Sequence, residues 1–334
     1  MLHSVNANNL IYFRKIIPAL LNRKGVVLSF VGNELNLPGI RLSDKIATLK
    51  EINTEIIATQ LLHATGEYLY SDTGAQVIAV PHALNPRVFS PSEDLQNRPI
   101  DIGLRSFRYP AIFLGDQDRN RLIDYFTLEN FDKVLTKDIS VENRLERNEW
   151  AAFLNASKST ISNEAGGHWV EKDDTTTTAI KSWINDCSGN SIQISTSPFF
   201  RSLVHKLPWS YRAKLIKIFS RGHFQHEALV GGDEDFDTIF EKFYAHLPFP
   251  PEHSGKCISS RHFDAAGTKT CQIMIEGRFN DILKADLHYI ALSPDLSNAN
   301  EAVEKMMDWE FRKSMTERTY DYMLANHTYD NRMA

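Results

Sequence analysis

The 334-residue chain is 42 % hydrophobic and 24 % charged, with a formal net charge of −5, the balance of a folded globular protein and not of a disordered one. A weakly acidic chain offers no basic footprint for nucleic acid, and its length suits two domains of ordinary size. Three cysteines, Cys187, Cys257 and Cys271, stand far apart with no Cys-x-x-Cys, which speaks against a disulfide framework or a structural zinc site. No apolar run reaches the ~18–20 residues that span a bilayer, and the start lacks a basic segment followed by an apolar core, so the expected location is the cytoplasm.

Residues 10–23 carry a helical pattern, with Leu10, Phe13, Ile17, Leu20 and Leu21 on one face and Pro18 placed to split it. Val26 to Val31 is a mostly apolar run, as in a buried parallel strand, and Gly32-Asn33-Glu34 leaves its carboxyl end. Ser43 is read as the cap of a helix through Leu49 and Ile52. A strand at Glu55–Ala58, a helix at His63–Tyr70 and a strand at Gln76–Val80 follow. This alternation predicts a doubly wound α/β sheet. Ligands of such sheets sit at the carboxyl ends of the strands, which here carry Asn33 and Glu34, then Gln60, then His82. Prolines at 86, 91 and 99 mark residues 87–99 as a linker.

A second α/β unit begins at Ile100-Asp101-Ile102-Gly103. Its loop holds Arg105 and Arg108, which are either phosphate ligands or solvated surface arginines. A helix at 118–126, a short strand at Lys133–Leu135 and an amphipathic helix at Glu146–Ala156 come next. The strand Ser159–Ser162 ends in Asn163-Glu164-Ala165-Gly166-Gly167. An acid followed by two glycines lets backbone approach a ligand closely, or makes a plain turn. Residues 170–256 interrupt the rhythm with helical segments at 175–183, Tyr211–Phe219 and Phe236–His246, and are read as an insertion. Within it His223, His226 and Glu227 do not match a helical zinc motif, and no metal is expected.

The rhythm resumes at residues 258–275. Ser259-Ser260 leads into a short helix, Arg261 to Ala266; Gly267 breaks it, and Cys271 to Ile275 reads as a buried strand. Asp264 is placed near the helix start, either as a cap or facing a ligand with hydroxyls and phosphates. The sequence Gly267-Thr268-Lys269 is not a phosphate-binding loop, because Thr268 separates the glycine from Lys269. A strand at His288–Leu292, a helix at 297–307 and a charged helix at 308–326 complete the pattern.

Several pieces in order resemble one family. Val77 to Pro91 looks like an interdomain linker, Ile100 to Arg105 like a first strand with its phosphate loop, and Ser157 to Gly167 like a strand ending in an acid and glycines. Arg261-His-Phe-Asp-Ala-Ala-Gly267 is similar to an Arg-x-Phe-Glu-Ala helix. Together they resemble the GT-B-fold glycosyltransferases, specifically the "glycosyl transferases group 1" (family 4-like) C-terminal domain. The resemblance implies two Rossmann-like doubly wound domains: a short first domain at 1–86, the linker, a nucleotide-sugar domain at 100–307 carrying the insertion, and a C-terminal helix at 308–334. It implies transfer of a sugar from a nucleotide diphosphate sugar to an acceptor hydroxyl, as in bacterial surface polysaccharide or glycoconjugate biosynthesis. The acceptor is a glycan, a lipid-linked molecule or a protein, with at most peripheral contact at the inner face of the membrane. No cofactor beyond the donor substrate is implied.

In retaining members of that group a first glutamate faces the sugar and a second holds the ribose. Asp264 matches the second; counting back by the family's spacing lands on Lys256, not an acid, and Glu164 is the substitute for the sugar-facing role. By the same resemblance Arg105 and Lys269 meet the diphosphate, Arg108 and Arg261 count among the donor-binding residues, and Gly166, Gly167, Gly267 and Thr268 offer backbone donors. Glu34 and His82 are the candidates for an acceptor base, or bind loop backbone only. The alternatives are a non-catalytic sugar-nucleotide-binding protein and a nucleotide-sugar epimerase or hydrolase of the same fold.

Overall fold

The computed structural model describes residues 2–4, 10–36, 41–92, 94–109, 116–129, 131–142, 144–187 and 236–333. The Tyr211–Phe219 helix and the group His223, His226 and Glu227 lie outside the described residues.

Two parallel sheets carry the fold. The first joins β1 (Leu2–Ser4), β2 (Leu28–Val31), β3 (Ile56–Thr59) and β4 (Gln76–Ala79) in chain order. In its register Ser29 lies beside Leu2, and Val77 beside Ile57. The second sheet holds β5 (Ile100–Arg105), β6 (Lys137–Ser140), β7 (Ser157–Ser162), β8 (Cys271–Ile275) and β9 (Ile290–Leu292), in the order β6-β5-β7-β8-β9. All the pairings are parallel. The architecture is two Rossmann-like α/β units, each built on a parallel sheet. No helix among the described residues is long and apolar enough to cross a membrane.

The helices lie between the strands. Those of the first unit are α1 (Ile17–Leu21), α2 (Leu42–Glu51) and α3 (His63–Tyr70). A 3₁₀ segment at Ile11–Ile16 precedes α1, so Pro18 sits in the first turn of α1, where its missing N–H costs nothing. Ser43 does not cap α2. Arg41 does, in a left-handed conformation, and the Ser43 N–H donates to Asp174 Oδ2 at 2.8 Å. In the second unit α4 (Asp118–Leu128) and α5 (Arg147–Ala156) flank β6. The expected strand at Lys133–Leu135 is displaced to β6, and Val134 is fully exposed.

The insertion leaves the second sheet through a ribbon. Ala165 and Cys257 exchange two backbone hydrogen bonds, of 2.8 and 2.9 Å, and Trp169 pairs with Ser254. Helices α6 (Thr175–Cys187) and α7 (Phe236–Phe243) build a small core of their own around Trp169, Ile180, Ile239 and Tyr244. The ribbon itself packs on the first unit: Ala165, Val170 and Cys257 complete the core formed by Val31, Leu49, Ile57 and Leu61. Asn36 Nδ2 donates to the Glu171 carbonyl at 2.7 Å, and Thr65 Oγ1 to that of Ser254 at 2.9 Å.

Helix α8 (Ser260–Gly267) leads into β8, followed by α9 (Ala299–Met307), α10 (Trp309–Asn326) and α11 (Tyr329–Met333). Ser259 caps α8, and its N–H donates to His262 Nδ1 at 3.0 Å. His262 Nε2 then carries the proton and meets the Asn163 carbonyl at 3.2 Å, which ties the helix start to the end of β7. The C-terminal segment returns across the linker, where Leu84 bridges Thr328.

Candidate active site

The carboxyl ends of β5, β7 and β8 face those of the first sheet. At the end of β7, Glu164 reaches over to the loop after β8. Its Oε1 accepts the Phe279 N–H at 2.6 Å, and a Cβ on Gly277 would stand 2.6 Å from Oε2. Only glycine leaves the carboxylate that room. Past Arg278, the residues Phe279, Asn280 and Asp281 have φ of 45, 54 and 60°. For Phe279 this conformation costs roughly 1–2 kcal/mol, while Asn and Asp adopt it more readily, so the turn is held by what it binds. Asn280 shows how: Oδ1 accepts the Ile258 N–H at 2.8 Å, and Nδ2 donates to the Gln60 carbonyl at 3.1 Å. This side chain links the end of β3 to the second unit. Burial raises the Glu164 pKa, against the lowering effect of the Phe279 amide and Lys256.

Lys256 lies where the resemblance calls for an acid. Its ammonium meets Asp116 Oδ2 at 2.6 Å and Asp118 Oδ2 at 3.3 Å, and His168 Nε2 stands 3.4 Å from Asp118 Oδ2. Burial pulls the Lys256 pKa down, but the two aspartates outweigh it and leave it above the usual value. Asp118 is held well below the carboxylate range because His168 and Lys256 overcome its burial. One ligand atom each from Asp116, Asp118 and His168 falls within 4.8 Å of the others, a spacing that could hold a cation. The Lys256 ammonium already sits against both aspartates.

Two arginines complete the cluster. Arg119 is 4 % exposed, and its guanidinium lies 3.8 Å from the Tyr109 ring centroid. Arg261, at the start of α8, donates to the Asn163 carbonyl at 2.5 Å, while its Nε is buried without a partner. Neither guanidinium has an ion-paired carboxylate among the described residues. Burial, with Arg119 adding to it, lowers Arg261 to about 9. The nearest acid, Asp116, acts on both arginines but is ion-paired with Lys256, and two desolvated cations so held gain from an added anion.

Of the residues singled out from the sequence, Glu164 and Arg261 converge on this cluster. His82 lies close by, near enough to depress His262, and burial lowers its own pKa. Asp264 sits in the second turn of α8, not at its dipole end. It accepts from Trp150 Nε1 at 3.1 Å, and burial raises it to about 7.

The other assignments meet different partners. Arg105 is turned to the edge strand: it pairs with both oxygens of Asp138 at 2.8 Å and covers the Phe153 ring at 4.1 Å. Arg108 is bound to Asp124 at the surface. Gly166 (φ +83°) and Gly167 serve the ribbon, since a Cβ on Gly166 would stand 1.9 Å from the Gly255 carbonyl. Gly267 faces the linker, where a Cβ would meet Leu84 at 2.4 Å and the Phe89 carbonyl at 2.7 Å. Thr268 is fully buried and its N–H is spent on the Asp264 carbonyl; Lys269 reaches out over Tyr320. Arg98 binds the carbonyls of Ser157 and Thr268 at 3.0 and 2.7 Å, which puts Thr268 and Lys269 at the amino end of the sheet, opposite the cleft. Glu34 is fully buried with the Lys45 ammonium at 2.5 Å, sealed from any acceptor. Sequence reasoning missed Asp116, Asp118, Arg119 and His168. The close acid–base spacing Asp116-x-Asp118-Arg119 just past the first strand's loop was the available signal.

No protein-family model matches the chain, and no curated protein does. Among solved structures it is similar to a UDP-forming alpha,alpha-trehalose-phosphate synthase from Burkholderia xenovorans, at 10 % identity and a TM-score of 0.37, over 95 % of this chain and 70 % of that one.

Proposed function

We propose that the chain is a glycosyltransferase of the group 1 type that binds the diphosphate of a nucleotide sugar between Arg119 and Arg261. The observation that carries this reading is a buried Arg119 and a half-buried Arg261, neither ion-paired with a carboxylate among the described residues. A diphosphate supplies the missing charge in a water-poor setting, where fixed donors act most strongly on a leaving group.

In the proposed step the bond from the anomeric carbon to the diphosphate oxygen breaks, and its electron pair stays on the diphosphate. The acceptor oxygen bonds to that carbon, and its proton passes to a base. Glu164 is the leading candidate, because burial raises its pKa and makes its carboxylate a stronger base; His82 is the second. Asp264 has one oxygen on Trp150 and keeps the other for the ribose hydroxyls. Lys256 adds a cation beside Glu164 and takes the place of the missing first acid. The reaction belongs in the cytoplasm, in glycan or glycoconjugate synthesis.

A non-catalytic binder is the second reading, favoured by that same lysine. Calorimetry with UDP, GDP and their sugar conjugates, paired with an assay for released nucleotide diphosphate, separates the two. Binding that is lost in both Arg119→Met and Arg261→Met, with turnover on an acceptor, supports the transferase. Binding without turnover leaves the binder, and no binding to any of them removes both.

A further inference from the structure

A cavity of about 520 Å³ opens beside the Arg278–Ile282 loop. It shares no residue with the Arg119–Arg261 cluster. Its walls come from the segments leaving β3 and β4, from the Arg278–Ile282 loop, and from the C-terminal segment. Leu62, Ala64, Pro81 and Ile282 make an apolar side. The titratable groups are Arg278, Asp281, Arg332, His327 and His63, whose Nδ1 stands 3.4 Å from Glu67 Oε2.

These charges do not cancel. Arg278 is matched by Asp281 through two hydrogen bonds of 2.8 Å. Among the described residues Arg332 has no carboxylate in ion-pair contact. Its Nη2 donates to His327 Nδ1 at 3.0 Å and approaches the His82 carbonyl at 3.5 Å. Its Nη1 makes no hydrogen bond, and its Nε is buried without a partner. Because arginine only donates, His327 Nδ1 accepts and the ring proton lies on Nε2, facing the Tyr322 hydroxyl at 2.9 Å. His327 is therefore neutral, in line with a pKa that burial and Arg332 lower to about 4. One uncompensated guanidinium remains beside an apolar wall.

We infer that this cavity binds a small organic monocarboxylate, its carboxylate on Arg332 and its apolar body against Leu62, Ala64, Pro81 and Ile282. The volume suits such a ligand, and a planar guanidinium suits a carboxylate. The inference holds whatever reaction the Arg119–Arg261 cluster runs. It bears on that cluster all the same. The Arg278–Ile282 wall is the loop that holds Glu164 and, through Asn280, the end of β3, so an occupied cavity braces the cleft.

Benzoate is the probe and benzamide its neutral counterpart, each titrated by calorimetry into the full chain. Saturable benzoate binding is expected, at least about tenfold weaker for benzamide and for Arg332→Gln, the loss of one charge-assisted contact. Arg261→Met should bind benzoate as the parent does, which separates this cavity from the diphosphate site. Ala64→Phe fills the cavity, leaves Arg332 in place and should also abolish binding. It keeps the test decisive if the Arg332 variant fails to fold. Equal affinity for benzamide, benzoate binding unchanged in Ala64→Phe, or no saturable binding of benzoate overturns the inference.

Discussion

Replacing Arg261 by methionine distinguishes a ligand-binding arginine from a structural one by the sign of its effect on stability. Without ligand, the buried charge works against the fold. Lowering the guanidinium from 12.5 to about 9, at about 1.4 kcal/mol per decade, sets an upper bound of roughly 5 kcal/mol against the charged form. Relaxation and nearby water bring the net cost to ~2 kcal/mol. The folded pKa of this base is depressed, so the cost is fully present at neutral pH and fades only as the pH rises above about 9 towards 12.5. Opposing it is the hydrogen bond to the Asn163 carbonyl, worth about 1–2 kcal/mol, and that carbonyl keeps His262 as a donor. Arg261→Met should therefore unfold in urea at pH 7 with a stability equal to the parent or up to ~1 kcal/mol higher. Its affinity for nucleotide diphosphate should fall about 100-fold, the loss of two charge-assisted contacts. A variant destabilised by more than ~2 kcal/mol that still binds nucleotide diphosphate like the parent would refute the reasoning and make Arg261 structural.

Asp264 offers a pH test. Its folded pKa of about 7 lies above the ordinary 3.8, so ionisation opposes folding, and stability grows as the pH falls from about 7 towards 3.8. Relative to Asp264→Asn, the parent should gain up to ~4 kcal/mol between pH 8 and pH 4 in urea melts. Gly166→Ala puts a methyl group 1.9 Å from the Gly255 carbonyl at a φ of +83°; a loss of ~3 kcal/mol or more is expected by denaturant unfolding. Lys256→Met leaves Asp116 and Asp118 without their ammonium, at a cost of about 3–5 kcal/mol. Millimolar manganese should restore part of that loss in the variant and leave the parent unchanged, as read by thermal melts.

Mostly apolar runs were the legible part of this fold: Val26–Val31 and Cys271–Ile275 each hold a strand, and β5 starts where the second α/β unit was expected to begin, at Ile100. Two edge strands were not: β1 has three residues, and β6 reads Lys-Asp-Ile-Ser, with no apolar run to mark it; the edge strands β4 and β9 were read where they lie. In the site, Glu164 and Arg261 were legible because polar residues at strand ends and helix starts point into a cleft. Arg119 was not, since an arginine on an amphipathic helix reads as solvated, and its burial under Tyr109 is a contact between segments. The glycine pair at Gly166 announced a close approach of backbone but not what approaches; the partner is Gly255, far away in sequence. Arg105 was the right type of residue at a strand's end, captured by a neighbouring strand's aspartate that no local pattern reveals.

The ribbon under the insertion sets a timetable for synthesis. The core of the first sheet needs Cys257 as well as Ala165 and Val170, so the opening strands leave the ribosome well before their last packing partner exists. At about 5–20 residues per second, the wait from residue 86 to residue 257 is on the order of ten seconds or more. Throughout it, Leu49, Ile57 and Leu61 lack part of their cover, and the nascent chain offers chaperones an apolar surface that the finished protein hides.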